Sequence, residues 1–146
     1  MTIYTIGHTK KNLKKFIELL TGAGVDAVID IRLNNKSQLA GYAKQDDLSF
    51  LLETCFNIRY LHLPELAPTK ELLDRYRTDK NWQQYELEFT EIIRERDAIA
   101  RAMPVISEFE RPCLLCSEHQ PAKCHRRLVA ELFAARDNGL EVVHLP

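Results

Sequence analysis

The sequence predicts an α/β protein, a three-layer Rossmann-like fold built on a mostly parallel sheet of about five strands. Three observations carry that prediction. Short apolar runs alternate along the chain with segments of helical periodicity. One run, Ala27-Val-Ile-Asp-Ile31, is apolar on both faces, as strands covered by helices on both sides are. The connections between runs hold helical segments, which return each strand parallel to the last with a right-handed crossover.

Ile3 to Gly7 reads as the first strand. A helix from about Asn12 sets Leu13, Phe16, Ile17 and Leu20 on one face, and Gly22 and Gly24 bracket its end. The second strand is Ala27–Ile31, followed by a polar loop from Leu33 to Gln45 that contains Ser37 and Gly41. Asp46 or Asp47 is expected to cap a helix reaching about Phe56. Ile58 to Leu63 forms a third strand, stopped by Pro64. Pro68-Thr69 starts a short helix to about Arg77. A longer helix from Trp82 to Arg96 continues, or breaks, before Pro104, and Val105 to Glu110 adds a further helical turn. Pro112 to Cys116 is the fourth strand. Arg126 to Ala135 is an amphipathic helix ending near Asn138-Gly139, and Glu141 to Leu145 is a last short strand. No repeat, low-complexity tract or linker interrupts residues 1–146, which read as a single domain.

A chain of 146 residues can bury one core without staples. Its 45% hydrophobic and 28% charged content excludes a disordered class, and no apolar run approaches the roughly 18 residues of a membrane span. A strand that begins at Ile3 leaves no room for a signal peptide. With four cysteines in a core of this size, reduced thiols and a cytoplasmic location are expected rather than a disulfide framework. A net charge of −1 gives no reason to expect duplex nucleic acid, though local basic patches are compatible with it. No motif names a cofactor, which stays unknown, or an oligomeric state.

Chemistry concentrates in Cys113-Leu-Leu-Cys-Ser-Glu-His-Gln-Pro-Ala-Lys-Cys-His-Arg-Arg127. This is a strand, a polar loop and a helix start, the place where free amides and the helix dipole converge on ligands in open α/β sheets. If the strands are parallel, the polar residues just past each of them meet at one edge. The candidate catalytic residues are Cys116 as nucleophile or redox thiol, Glu118 and His8 as proton carriers, and Asp30 as the group that orients one of them. Arg32 and Arg126 are expected to neutralise an anion, helped by Cys124 and His125 at the helix start, with Ser37 and Glu65 completing the binding set.

Each candidate has a structural counterpart. Asp30 and Arg32, two residues apart on one strand face, could be a buried ion pair. His8 could cap a helix or satisfy loop carbonyls, and His62 is more often a core or loop residue than a ligand. The Trp82, Tyr85 and Phe89 stripe suits helix packing better than base stacking. Cys113 reads as a small core hydrophobe, and residues three apart on a strand point to opposite faces, which argues against shared ligation with Cys116 unless the strand ends early. The spacing Cys113-x2-Cys116-x7-Cys124-His125 departs from the usual tetrahedral zinc patterns, so no metal is assigned. A site from Cys116, Cys124, His125 and His8 is a lesser alternative. His119, mid-loop, is expected to be solvated. A cysteine phosphatase or rhodanese loop is similar only in topology: Cys116 and Arg126 lie too far apart, and the loop lacks glycine.

Several of these segments together resemble a family. Thr5-Ile-Gly-His-Thr9, Asp30-Ile-Arg32, Ser37, Tyr60 to Leu66, Cys116-Ser-Glu118 through Cys124-His-Arg126, and Val142-Val-His-Leu145 are similar, nearly end to end, to the bacterial and archaeal domain of unknown function 488 proteins. Glu65-Leu-Ala-Pro-Thr69 resembles one branch, where others carry a glycine-rich stretch. The resemblance implies a single α/β domain with its signature residues on the loops described, and it implies no reaction. From the residues alone, the leading expectation is an enzyme acting on a small anionic or phosphorylated, nucleotide-like substrate by hydrolysis or group transfer. A ligand- or nucleic-acid-binding module without turnover is the alternative, and no membrane partner is expected.

Overall fold

The computed structural model describes residues Met1–Pro146 and shows one five-stranded sheet, all parallel, with six α-helices. The elements in chain order are β1 (Thr2–Gly7), α1 (Leu13–Gly22), β2 (Ala27–Asp30), α2 (Gln45–Cys55), β3 (Arg59–His62), α3 (Lys70–Asp79), α4 (Trp82–Glu95), α5 (Ala98–Ile106), β4 (Pro112–Cys116), α6 (His125–Arg136) and β5 (Glu141–His144). Short 3-10 turns occupy Gln38–Ala43 and Pro64–Leu66. The three-layer reading and the five strands therefore hold. No helix is long and apolar enough to cross a membrane.

The strand order is β3-β2-β4-β1-β5. On one face, Ile6, Val28, Cys113 and Leu115 pack on Phe16, Ile17 and Leu20 of α1 and on Leu48 and Leu52 of α2. On the other, Ile3, Ala27, Ile29 and Leu114 lie against Phe89 of α4, Ile99 of α5 and Val129 of α6. Steps from β1 to β2 and from β2 to β3 thus use one face, and the returns to β4 and β5 use the other. Adjacent β2 and β4 consequently send their outgoing chains to opposite faces, which opens a crevice between their carboxyl ends.

Local chemistry explains the boundaries. Asn12, Thr69 and Asn81 cap α1, α3 and α4 by accepting hydrogen bonds from Lys15, Leu72 and Gln84 amides. The expected cap at Asp46 or Asp47 is corrected. Lys44 occupies the cap without a side-chain bond, and both acids sit in the first turn of α2, where they favour the helix dipole instead. The long helix breaks at Asp97, whose φ of 52° is left-handed, and α5 then carries Pro104 within its last turn. Helix α6 starts at His125, one residue before the expected Arg126.

Parallel pairing runs past the strand ends: the His8 amide donates to the Cys116 carbonyl at 3.2 Å, and the Thr9 amide to the Ser117 carbonyl at 3.2 Å. Gly7 makes this possible. A Cβ there would stand 1.6 Å from the Glu118 carbonyl oxygen and 2.8 Å from an Arg126 nitrogen. Only a residue without a side chain lets the loop after β4 lie over β1.

Candidate functional site

The crevice between β2 and β4 is a cleft of about 400 Å³. Arg32 and Asn34 enter it from the loop after β2, Cys116 and Glu118 from the end of β4, and Cys124 and His125 from the start of α6. Tyr76, Trp82 and Tyr85 of the α3–α4 hairpin close the far side. Trp82 stacks on Tyr85 with ring centres 4.9 Å apart, Tyr76 meets its edge at 5.6 Å, and the Arg127 guanidinium lies 5.9 Å over it. The stripe is a self-packed wall, as its helical spacing suggested. Charged lining residues are strongly one-sided: Arg32, Arg77, Lys80 and Lys123 face a single acid, Glu118. A chain of near-neutral net charge thus carries a basic cleft.

Arg32 is held at the cleft by a buried lattice. Its Nε donates to Asp30 Oδ1 at 2.9 Å and its Nη2 to Oδ2 at 2.8 Å, while its own amide donates to Oδ1 at 3.1 Å. Asn35 Nδ2 donates to Oδ2 at 3.2 Å, and the Tyr60 hydroxyl donates to the same oxygen. Burial by itself would push the Asp30 carboxyl up, but the Arg32 fork, its charge and the Tyr60 hydroxyl hold it below the usual range. The same surroundings push the Tyr60 phenol up, burial first and the Asp30 charge second. Arg32 Nη1 is the one buried side-chain nitrogen or oxygen with no partner. The guanidinium thus keeps one donor unused on a residue that also lines the cleft.

The second feature is sulfur. Cys124 donates to Cys116 across 2.8 Å, and the Cys116 sulfur lies 3.5 Å from His125 Nδ1. His125 Nε2 is 2.7 Å from the Ile31 carbonyl, an acceptor only, so Nε2 carries the proton and Nδ1 presents its lone pair towards the sulfurs. Burial pushes the Cys116 thiol up, yet the Cys124 hydrogen bond, the Glu118 amide and the Arg126 charge bring it below its ordinary value. Burial and the adjacent Cys116 push Cys124 well up, so within the pair Cys116 gives up its proton more readily and Cys124 is the donor. Cys113 points into the α1–α2 face and is pushed up by burial, in keeping with a core hydrophobe.

The other expected residues lie elsewhere. Arg126 is fully buried, and its guanidinium is committed to the loop: Nε to Thr5 Oγ1 at 3.2 Å, Nη1 to the Glu118 carbonyl, and Nη2 to the His119 carbonyl at 3.1 Å. It is absent from the cleft lining, shapes the floor from behind, and lends its charge to Cys116. His8 is half-buried beside the Asp30–Arg32 pair but outside the lining, with its pKa lowered to about 4 by burial and then by Arg32. Ser37 caps the 3-10 turn after β2 by accepting from the Leu39 amide at 3.1 Å. Glu65 sits in the turn after β3, where its carbonyl accepts from Arg96 at 2.8 Å. His62 Nε2 lies 3.2 Å from the Arg32 carbonyl and fixes that loop. His119, expected in solvent, is half-buried with Nδ1 3.3 Å from Lys11 Nζ.

Sequence reasoning missed the α3–α4 wall, its cations Arg77 and Lys80, and Lys123. A signal existed: a right-handed return from β3 to β4 must place those helices on the α6 side, beside the helix that opens at Cys124.

The model of domain of unknown function DUF488 matches residues 12–133. The chain belongs to the DUF488 family. No curated protein matches it, and no solved structure does. For this DUF488 protein the matched span includes β2, β4 and the start of α6, and so holds every side chain of the cleft floor. The membership brings no reaction with it.

Proposed function

We propose that this protein is an enzyme acting on a small anionic substrate. The substrate lies in the cleft between β2 and β4, its negative group on Arg32 and its reacting atom beside the Cys116 sulfur. One observation carries the reading: an unpartnered guanidinium nitrogen belongs to a residue that shares a basic cleft with an activated thiol. Lys123, Lys80 and Arg77 would add diffuse attraction at the mouth, and Glu118, exposed and part of the lining, would carry a proton. A charge-assisted hydrogen bond from a desolvated guanidinium contributes about 1.5–3 kcal/mol, or roughly 10- to 150-fold in affinity.

The test is a panel of anionic metabolites, inorganic phosphate and sulfate, and nucleoside monophosphates, screened by thermal shift and then by turnover. Arg32→Lys should weaken binding at least tenfold, and Lys123→Ala several-fold with a shallower dependence on salt. Cys116→Ser should keep binding and lose turnover. Undiminished binding by Arg32→Lys, or undiminished turnover by Cys116→Ser, would remove this reading. Saturable binding with no turnover by the wild-type chain would make the cleft a ligand-binding module.

A further inference from the structure

Cys116, Cys124 and His125 are three buried side chains whose sulfur and nitrogen ligand atoms all lie within 4.8 Å of one another. We propose that they form a binding site for a thiophilic divalent cation, zinc foremost, with a fourth ligand position open to the cleft.

The donor chemistry fits. Two thiolates and one neutral imidazole form a set that zinc takes, and three protein ligands with one open position are the arrangement of catalytic rather than structural zinc sites. His125 is already prepared for the role. The 2.7 Å contact between Nε2 and the Ile31 carbonyl fixes the tautomer and turns the Nδ1 lone pair towards both sulfurs. A backbone carbonyl in that position is the usual outer partner of a metal-bound histidine. Phe89 also fixes the ring, meeting it at 61° with centres 5.6 Å apart.

A reversible disulfide is the competing use of the same sulfurs, and it leaves the His125 lone pair without a function. The pair now stands at 2.8 Å. A tetrahedral ion with Zn–S bonds of about 2.3 Å would hold the two sulfurs about 3.8 Å apart. Uptake therefore requires roughly 1 Å of spreading, within reach of side-chain rotation at a strand end and a helix cap. Charge also balances: two thiolates neutralise a divalent ion, a condition for placing it among buried groups. The sequence offered these three residues, with His8, only as a lesser alternative; in the structure Cys124 and His125, adjacent in sequence, both reach Cys116, while Cys113 belongs to the other face of the sheet.

Its chemical consequence rests on the enzyme reading above. A water molecule at the open position would ionise near pH 7. The resulting hydroxide would add to the electrophilic atom of the anion held by Arg32, the bond to the leaving group would break, and Glu118 would pass the water's proton to that group. This is hydrolysis, with no change of oxidation state.

Metal content and cobalt spectroscopy test the site without reference to turnover. The full chain is purified anaerobically without chelator from zinc-supplemented cells, and its metal is counted by elemental mass spectrometry. Apoprotein is then titrated with cobalt(II). The expected results are one zinc per chain, and one equivalent of cobalt giving thiolate-to-metal charge transfer with the strong visible absorption of a tetrahedral site. Cys124→Ser and His125→Gln should weaken cobalt binding at least tenfold and change that spectrum, with folding checked by circular dichroism. Cys55→Ser, which replaces the exposed cysteine at the end of α2, should leave binding unchanged. Substoichiometric zinc with no charge-transfer band in the wild-type chain would overturn the proposal, as would a species 2 Da lighter carrying a Cys116–Cys124 disulfide and no metal. Either failure leaves anion binding by Arg32 to be judged separately, and loss of anion binding in Arg32→Lys with the cobalt spectrum intact separates the two readings in the other direction.

Discussion

Asp30 is fully buried with a full charge, and every acceptor position it has is used by Arg32, Asn35 and Tyr60. The pair was legible in the sequence because two opposite charges, two residues apart at the end of an apolar run, need each other. Asn35 and Tyr60 were not legible as its partners, since no spacing rule links one strand's acid to a loop amide and the next strand's phenol. Removing one member of such a pair leaves the other buried without compensation, which costs about 3–5 kcal/mol. Asp30→Asn is therefore expected to lower the melting temperature by roughly 10 °C, taking 2–4 °C per kcal/mol for a chain of this size. The double variant Asp30→Asn, Arg32→Met should recover part of that loss, because it removes the stranded cation as well. Chemical denaturation of the four members of this cycle measures the coupling. An additive result would mean that Arg32 is solvated and not held by Asp30.

At the scale of elements, the α3–α4 hairpin is the part least determined by the sheet. Helix α3 offers one buried residue, Leu72, and its cohesion with α4 comes from Tyr76, Trp82 and Tyr85 together with the Arg75–Glu88 ion pair. That pair is largely exposed, so the rings contribute most of the attachment. Trp82→Ala is expected to cost about 2 kcal/mol, less than a fully buried tryptophan because this one is half-buried. Hydrogen exchange should show the loss locally: α3 amides exchange faster, while β1 and β4 amides keep their protection. Uniform acceleration throughout the sheet would show instead that the hairpin and core unfold as one unit. The strands were readable because burial on both faces leaves nearly unbroken apolar runs. The hairpin's role was not, because its periodicity reports that one face is covered without reporting what lies beside it. The expected end of the long helix at Arg96 agrees with α4, which closes at Glu95; only the left-handed Asp97 that makes the break had no fixed signature.

The whole molecule explains why residues from separate segments meet where they do. Parallel strands put every outgoing loop on one edge, and the reversal of winding between β2 and β4 decides which loops part to leave a cleft. The sequence supports the first step, and the alternation of strand and helix sufficed for it. The second depends on β4 lying between β2 and β1, an order that local patterning does not encode, so Arg126 and His8 were expected to face the ligand when they lie behind the floor and beside the ion pair. Their burial has a consequence for the response to acid. His8 has its pKa lowered from 6.5 to about 4, by burial first and Arg32 second. His144 is also lowered, by burial and then by Arg126. In the unfolded chain both imidazoles bind a proton near pH 6.5, whereas in the folded chain they resist it, so the unfolded state gains protons first as pH falls. Stability contributed by His8 is thus complete above about pH 6.5 and is lost between there and about pH 4. Asp30, depressed by its own partners, adds a further loss only below the usual carboxylate range. After allowance for solvent around a half-buried ring, the His8 effect at pH 5 amounts to about 1 kcal/mol. Urea denaturation at pH 7.5 and pH 5.0 should show that decrease, and His8→Gln should flatten the difference. An unchanged pH slope in the variant would place the titrating group elsewhere than at the end of β1.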